Sequence, residues 1–235
     1  GSADVGEWHL AAGDCPRDGV GARLGAVAAA AQEDVDLPVG EIIDHFGDVF
    51  VLQTSTAGME RLQDRVVEAL ESRFAPRAVV IRNTSGLRAL EGLGEDTRVA
   101  SGTLAAPVEL EENGAHFRVD PLQGQKTGWF YDHRDNRAEL ARWCDGKRVL
   151  DLFAYTGAWS VPAALAGAAS VTCVDASVPA LALAAENARL NGVQAQLDCQ
   201  VADVFDYLRQ AREARLHFDV IVLDPPAFIK RRKDV

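Results

Sequence analysis

Four apolar, β-rich runs between residues 147 and 228 constrain the fold of this chain more than any other feature. They read KRVLDLFAYTGAWS, SVTCVDAS, VADVF and FDVIVLDPPAF. Each ends in a carboxylate or a turn, and helical segments separate them. That is the pattern of a parallel α/β sheet whose strand ends line a ligand crevice. The expected fold is α/β, with a Rossmann-like sheet in residues 121–235. A small α+β unit in 37–120 and an N-terminal segment, 1–36, precede it.

The first strand is expected at 148–153. The turn Ala154-Tyr155-Thr156-Gly157 follows, and a helix begins near Ser160 with Pro162 tolerated in its first turn. Gly157 is the only glycine of that turn, so there is no GxGxxG dinucleotide fingerprint, and no Gly-Lys-Ser/Thr follows for a phosphate loop. Such a turn suits a ligand without a pyrophosphate, and S-adenosylmethionine (SAM) is one. Asp151, Phe153, Tyr155, Thr156 and Gly157 are the first candidates to hold it. The second strand, 170–174, ends in Asp175. An acid there is placed to accept hydrogen bonds from a ribose diol, a helix cap being the competing reading. Ala176 and Ser177 follow, and Ser177 with Pro179 opens a helix that closes at Asn191-Gly192.

The third strand, near 194–201, leads to Asp203. This acid is expected to face the exocyclic amine of an adenine flanked by Val204 and Phe205, a role compatible with capping a helix. The fourth strand, 218–223, ends in Asp224-Pro225-Pro226. Two prolines cannot continue a central strand, so the chain breaks where ligands bind in such sheets. They also leave neighbouring carbonyls free to accept from a substrate amine or base.

Upstream, apolar runs at 41–46 and 49–55 flank Gly47-Asp48, a hairpin signal. Apolar residues at 59, 62, 66, 67, 70 and 74 repeat at the helical period. A strand at 78–82, a short helix at 87–93 and a hairpin about Asn113-Gly114 complete the unit, and residues 22–32 suit an Ala-rich surface helix. His45 and His116 lack partners at ligand spacing and read as structural. The junction GQKTGWFYDHRDNR, residues 124–137, is dense in glycine, aromatic and charged residues. It reads as a loop over the cofactor or base pocket, beside the plainer reading of a domain junction. Gln125, Lys126, Thr127, Gly128, Asp132 and Arg134 would supply its polar contacts. Trp129, Phe130 and Tyr131 would supply stacking surface, with Pro226 and Phe228 facing them. Asp135 is expected to cap a helix over 136–143.

Composition narrows the class. Hydrophobic content of 48% and charged content of 25% are ordinary for a soluble globular protein, and no apolar run approaches the roughly 20 residues of a membrane span. A net charge of −11 argues against a generic nucleic-acid binder but leaves room for a local patch, such as the basic cluster at 230–233. Cys15, Cys144, Cys173 and Cys199 show no CxxC spacing, so no metal is expected, and a reducing cytoplasm is the expected compartment.

The order DLFAYTG, VDAS, ADVF, LDPPAF resembles the class I SAM-dependent methyltransferases. GQKTGWFYDHRDNR, together with LPVGEIIDHFGD, is similar more narrowly to the RlmI-type family of bacterial 23S rRNA cytosine-C5 methyltransferases, over roughly residues 35–235. The resemblance implies SAM as cofactor, RNA (23S rRNA) as partner, no membrane partner and room for a homodimer. It also implies a central α+β domain that positions substrate, and Asp224 as the residue that orients the base or assists proton removal. Two departures stand out. The family carries an N-terminal PUA domain that 1–36 is too short to form, and its seven-stranded sheet exceeds the four strands legible here. Methylating C5 of a pyrimidine needs a thiolate to add at C6. In proteins resembling this one that cysteine lies past the position of Val235, and none of the four cysteines suits the role. Two other readings are a nucleobase amino-group methyltransferase, weakened because Ala227 separates Pro226 from Phe228, and a non-catalytic SAM- or RNA-binding module.

Overall fold

The computed structural model describes residues 41–105 and 107–226. The expected helix at 22–32, Cys15, Ala227, Phe228 and the basic cluster at 230–233 lie outside the described residues.

Strands β1 (Glu41–Phe46) and β2 (Val49–Thr54) pair antiparallel across Gly47-Asp48. Gly47 sits at φ 60°, in the left-handed region that glycine enters without steric cost. Helix α1 (Ala57–Phe74) starts at Thr56, whose hydroxyl accepts from the Met59 amide. Its stripe of Met59, Val66, Val67 and Leu70 packs on Phe50 and Leu52 of β2 and on Val79 and Ile81 of β3 (Ala78–Asn83). Strand alternation sends Val51 and Val80 to the opposite face. Every residue of β3 is buried because β2 and β4 (Asp96–Gly102) flank it, giving the order β1-β2-β3-β4. Strand β4 was not expected from sequence: as an edge strand reading DTRVASG, it carries no apolar alternation. The expected helix at 87–93 is a single 3-10 segment, Gly86–Glu91, ended by Gly92 at φ 72°.

A hairpin of β5 (Val108–Glu112) and β6 (Ala115–Val119) turns at Asn113-Gly114 as expected. The second large sheet holds β7 (Arg148–Leu152), β8 (Ser170–Asp175), β9 (Leu197–Val201) and β10 (Val220–Leu223), all parallel, in the order β10-β7-β8-β9. Helices α2 (Arg134–Ala141), α3 (Ser160–Leu165), α4 (Val178–Leu190) and α5 (Val204–Glu213) accompany it. The chain steps outward from β7 to β9 and then returns to the other side of β7. That reversal opens a crevice at the carboxyl ends of β7 and β10. Ile221 and Leu223 of β10 are more than half exposed. No helix among the described residues is long and apolar enough to cross a membrane.

Asn187 on α4 and Asn191 at its C-cap give the hairpin edge its hydrogen bonds. Asn191 accepts from the His116 amide at 2.9 Å and donates to the His116 carbonyl at 2.6 Å. Asn187 does the same for Arg118 at 2.7 and 3.3 Å. The edge strand is thereby covered by a helix. One apolar cluster runs from Val51 and Val80 of the first sheet, through Phe117 and Val119 of the hairpin, to Val149 and Val171 of the second.

A buried ion pair fixes the junction to this body. Arg137 donates to Glu112 through Nε at 2.6 Å and Nη2 at 2.9 Å, and both side chains are almost fully buried. Trp129 Nε1 donates to the same carboxylate at 3.0 Å, and Arg137 Nη2 also donates to the Phe130 carbonyl at 2.8 Å. The expected cap at Asp135 is corrected here. The residue before α2 is His133, with no side-chain cap bond, and Asp135 lies within the first turn, because the 3-10 turn Tyr131–His133 runs directly into the helix. Replacing Glu112 with alanine strands the buried guanidinium and should cost about 3–5 kcal/mol. Urea denaturation measures this directly, and a loss below about 1 kcal/mol would show that the pair is not what holds the junction.

Candidate functional site

The loop after β7 is built under strain. Phe153 and Tyr155 both adopt left-handed φ, 62° and 49°, each at a cost on the order of 1–3 kcal/mol for a non-glycine residue. The neighbouring strand holds them there: the Ala154 amide donates to the Val174 carbonyl at 3.1 Å, and the Tyr155 amide to Asp175 Oδ2 at 2.9 Å. Gly157, at φ 78°, faces α4, where an added Cβ would stand 3.1 Å from Ala184 Cβ. The one glycine of the turn thus permits close helix packing. The Tyr155 hydroxyl accepts from the Gln125 amide at 2.8 Å, which brings the junction loop over the turn.

Between these segments lies a cavity of about 330 Å³, within the range of small-molecule sites. From the turn after β7, Phe153, Ala154 and Tyr155 line it; from the end of β8 and the residue after it, Asp175 and Ala176. Asp203 and Val204 close one end, Asp224, Pro225 and Pro226 the other, and Gln125 and Phe130 come from the junction. These expected residues converge.

Others stand behind the lining. Asp151, expected to help hold the cofactor, lies inside β7, fully buried, and accepts from Ser160 Oγ at 2.6 Å. The buried Thr156 gives its carbonyl to Asn187 Nδ2 at 3.0 Å. Ser177 caps α4, accepting from the Ala180 amide at 3.3 Å. Thr127 is buried and donates to Asp44 of β1, while Gly128 packs against the Asp120 carbonyl. Arg134 meets Asn113 at the hairpin turn. Lys126 and Asp132 form an exposed pair at 3.6 Å, with Lys126 Nζ over the Phe130 ring, 4.0 Å from its centroid. Phe205 is more than half exposed on α5, so Val204 alone of that pair reaches the cavity.

Sequence reasoning missed Arg137, Ala158 and Trp159, all in the lining. Arg137 was in view as the last residue of the junction motif. Its signal was a charged residue at a position where α2 turns inward. Trp159 Nε1 donates to Asp224 Oδ2 at 3.1 Å, a contact between segments that no local pattern announces.

A parallel sheet reversing at β7 and β10, with an acid at the tip of β8 and Asp-Pro-Pro at the tip of β10, defines a Rossmann-like protein with a nucleoside-sized crevice. Residues 96–233 match the family described as S-adenosylmethionine-dependent methyltransferase, and the chain belongs to that family. A curated relative from Shewanella denitrificans, named ribosomal RNA large subunit methyltransferase I, is 42% identical over 207 residues, 87% of this chain and 52% of that protein. A solved structure described as a SAM-dependent methyltransferase from Streptococcus mutans superposes with TM-score 0.69 at 32% identity, over 80% of this chain and 49% of that one. A methyltransferase structure complexed with SAH gives TM-score 0.70 at 32% identity, over 83% and 50%. The chain spans about half the length of the curated relatives it matches.

The residues present fit the cofactor. Asp175 accepts one backbone amide on each oxygen, Tyr155 on Oδ2 and Ser177 on Oδ1 at 2.8 Å. A carboxylate has about four acceptor sites, so capacity remains on both oxygens for a ribose diol. Asp203 caps α5 with Oδ1, which accepts from Phe205 and Asp206 at 2.9 and 3.1 Å. Both of these bonds fall on Oδ1, so the cap leaves Oδ2 for an amine. SAM supplies an electrophilic methyl group on its sulfonium. Asp175→Ala should weaken SAM binding by about 1.5–3 kcal/mol, the scale of a hydrogen bond to a charged group. Unchanged affinity by calorimetry would remove Asp175 from the site.

Burial pushes the Asp151 carboxyl up to about 7; the Ser160 hydroxyl opposes this, and the nearby Asp224 and Asp175 carboxylates add to it. A raised carboxyl makes the folded state bind the extra proton. Its contribution is therefore complete below the unfolded value near 4 and is lost as pH rises through about 7. Asp151→Asn keeps an acceptor for Ser160 and removes that titration. Stability measured from pH 5 to 8 should fall more steeply in the wild type than in the variant; parallel curves would mean that Asp151 is not titrating there.

Proposed function

We propose that the chain methylates a base in RNA, specifically carbon 5 of a cytosine in 23S ribosomal RNA. The observation that carries this reading is the mouth of the crevice. There Asp224, Pro225 and Pro226 face the aromatic rings of Phe130 and Trp159 beside the expected place of the methyl donor. Flat aromatic walls stack an unpaired base, and a carboxylate accepts from its exocyclic amine. The name of the Shewanella relative supports RNA of the large ribosomal subunit as the substrate.

The first sheet supports this reading as a positioning unit. Arg82 of β3 donates to the carbonyls of Pro121, at 3.0 Å, and Gly124. Asp44 holds Thr127, and the Tyr131 hydroxyl donates to the His45 carbonyl at 2.7 Å. The loop that carries Gln125 and Phe130 over the crevice therefore takes its shape from residues 41–82. His45 acts through its backbone, in keeping with its structural reading.

Carbon 5 becomes nucleophilic only after a thiolate adds at C6. Cys144 and Cys173 are buried and Cys199 partly so, none lines the cavity, and burial raises the Cys144 thiol. The C5 reading therefore places its nucleophile outside residues 41–226. Transfer of tritiated methyl from SAM to unmodified 23S rRNA by the full-length protein that carries this chain and its nucleophilic cysteine, followed by nucleoside digestion, should yield 5-methylcytidine. A methyl group on an exocyclic nitrogen would move the reading to amino-group methylation, and SAM binding without transfer would reduce the chain to a binding module.

A further inference from the structure

His133, the last residue of the 3-10 turn before α2, stands beside Asp224, which follows β10. Its Nδ1 is shielded from solvent and has no hydrogen-bond partner among the described residues. Its Nε2 stands 3.7 Å from Asp224 Oδ2. The ring is wedged between Phe130 and Trp159, at centroid distances of 6.4 and 5.6 Å. The 3-10 turn, closed by the His133 amide on the Phe130 carbonyl at 3.2 Å, fixes the backbone beneath it.

The environment selects a tautomer. A neutral imidazole carries its proton on one nitrogen, and the other is an acceptor. A proton on Nδ1 would be a buried donor with nothing to receive it, and buried N–H groups are rarely left so. A proton on Nε2 points at a carboxylate. Asp224 Oδ2 already accepts from Trp159 Nε1, so the indole and the imidazole converge on one oxygen, and Oδ1 is the oxygen that neither of them meets.

We propose that His133 is a positioning residue for Asp224: with Trp159 it anchors Oδ2, so that Oδ1 is aimed at the amino group of the acceptor base. This rests on the reading of Asp224 as the group that meets the base. The 3.7 Å separation exceeds a hydrogen bond; it shortens when a base fills the mouth, as catalytic contacts do on forming the substrate complex.

Two experiments test this. Two-bond ¹⁵N–¹H spectra of the imidazoles, recorded on the chain with SAH, should show His133 with a protonated Nε2 and a bare Nδ1, and Asp224→Asn should shift the Nε2 signal. A protonated Nδ1, or an Nε2 signal indifferent to Asp224→Asn, would overturn the proposal. In methyl transfer to 23S rRNA by the full-length protein that carries this chain, His133→Phe keeps the wedge and loses the donor. It should lower kcat about tenfold, the scale of a hydrogen bond to a charged group, with KM for SAM within about twofold. His133→Gln, whose amide can still donate, should recover most of that loss. Wild-type kcat in His133→Phe, or equal losses in both variants with a raised KM for SAM, would leave His133 as packing alone. Asp224→Asn separates the two readings. If it transfers methyl at the wild-type rate, the reading of Asp224 fails; if it is impaired while His133→Phe is not, only the role of His133 fails.

Discussion

The buried pair of Glu112 and Arg137 is the constraint on which the site depends. One carboxylate at the end of β5 receives two bonds from Arg137 and one from Trp129, and the same guanidinium holds the Phe130 carbonyl. Hairpin, junction loop and α2 thus meet at a single desolvated point. Arg137 Cζ lies 4.8 Å from the Trp129 ring centroid and 5.7 Å from that of Trp159, so its charge also supports the aromatic floor of the crevice. Removing one member of such a pair is costly because the other is left charged and unsolvated. Register of the loop, and with it the placement of Phe130, follows from that penalty.

Above this point four acids gather in and behind the crevice, each held by different partners. Asp175 is tied to two backbone amides, and Asp203 caps a helix. Asp224 takes an indole N–H. Asp151 has no such access to solvent, and its proton is retained into the neutral range. The strained backbone at Phe153 and Tyr155 is stabilised by bonds to β8. Strain of this kind persists where surrounding structure over-determines it, and here it turns the loop towards the ligand.

The sequence made much of this legible because its signals were local. The apolar run of β2, the Asn-Gly turn after β5, Ser177 before Pro179 and the Asp-Pro-Pro break each specify an element within a few residues. Asp175, Asp203 and Asp224 were found because strand tips are readable from where apolar runs end. What was missed depended on partners distant in sequence. Strand β4 is polar and takes its place only from pairing with β3. Asp151 carries the same residue type as the tip acids but sits one step inside the strand, where Ser160 receives it. Asp135 resembled a cap, yet the preceding 3-10 turn made it an interior residue. Trp159 became a site residue only through Asp224, which lies in the last described strand's turn. The lack of a side chain at Gly157 also makes room for Ala184 of α4, a contact that the sequence does not announce.

A crystal structure of the chain grown with SAH tests the central claim most directly. The account predicts the ribose diol on Asp175, the adenine between Val204 and the Phe153 turn with its amine towards Asp203, and the sulfur within reach of Asp224. SAH bound anywhere else, or in this crevice with its ribose away from Asp175, would contradict it.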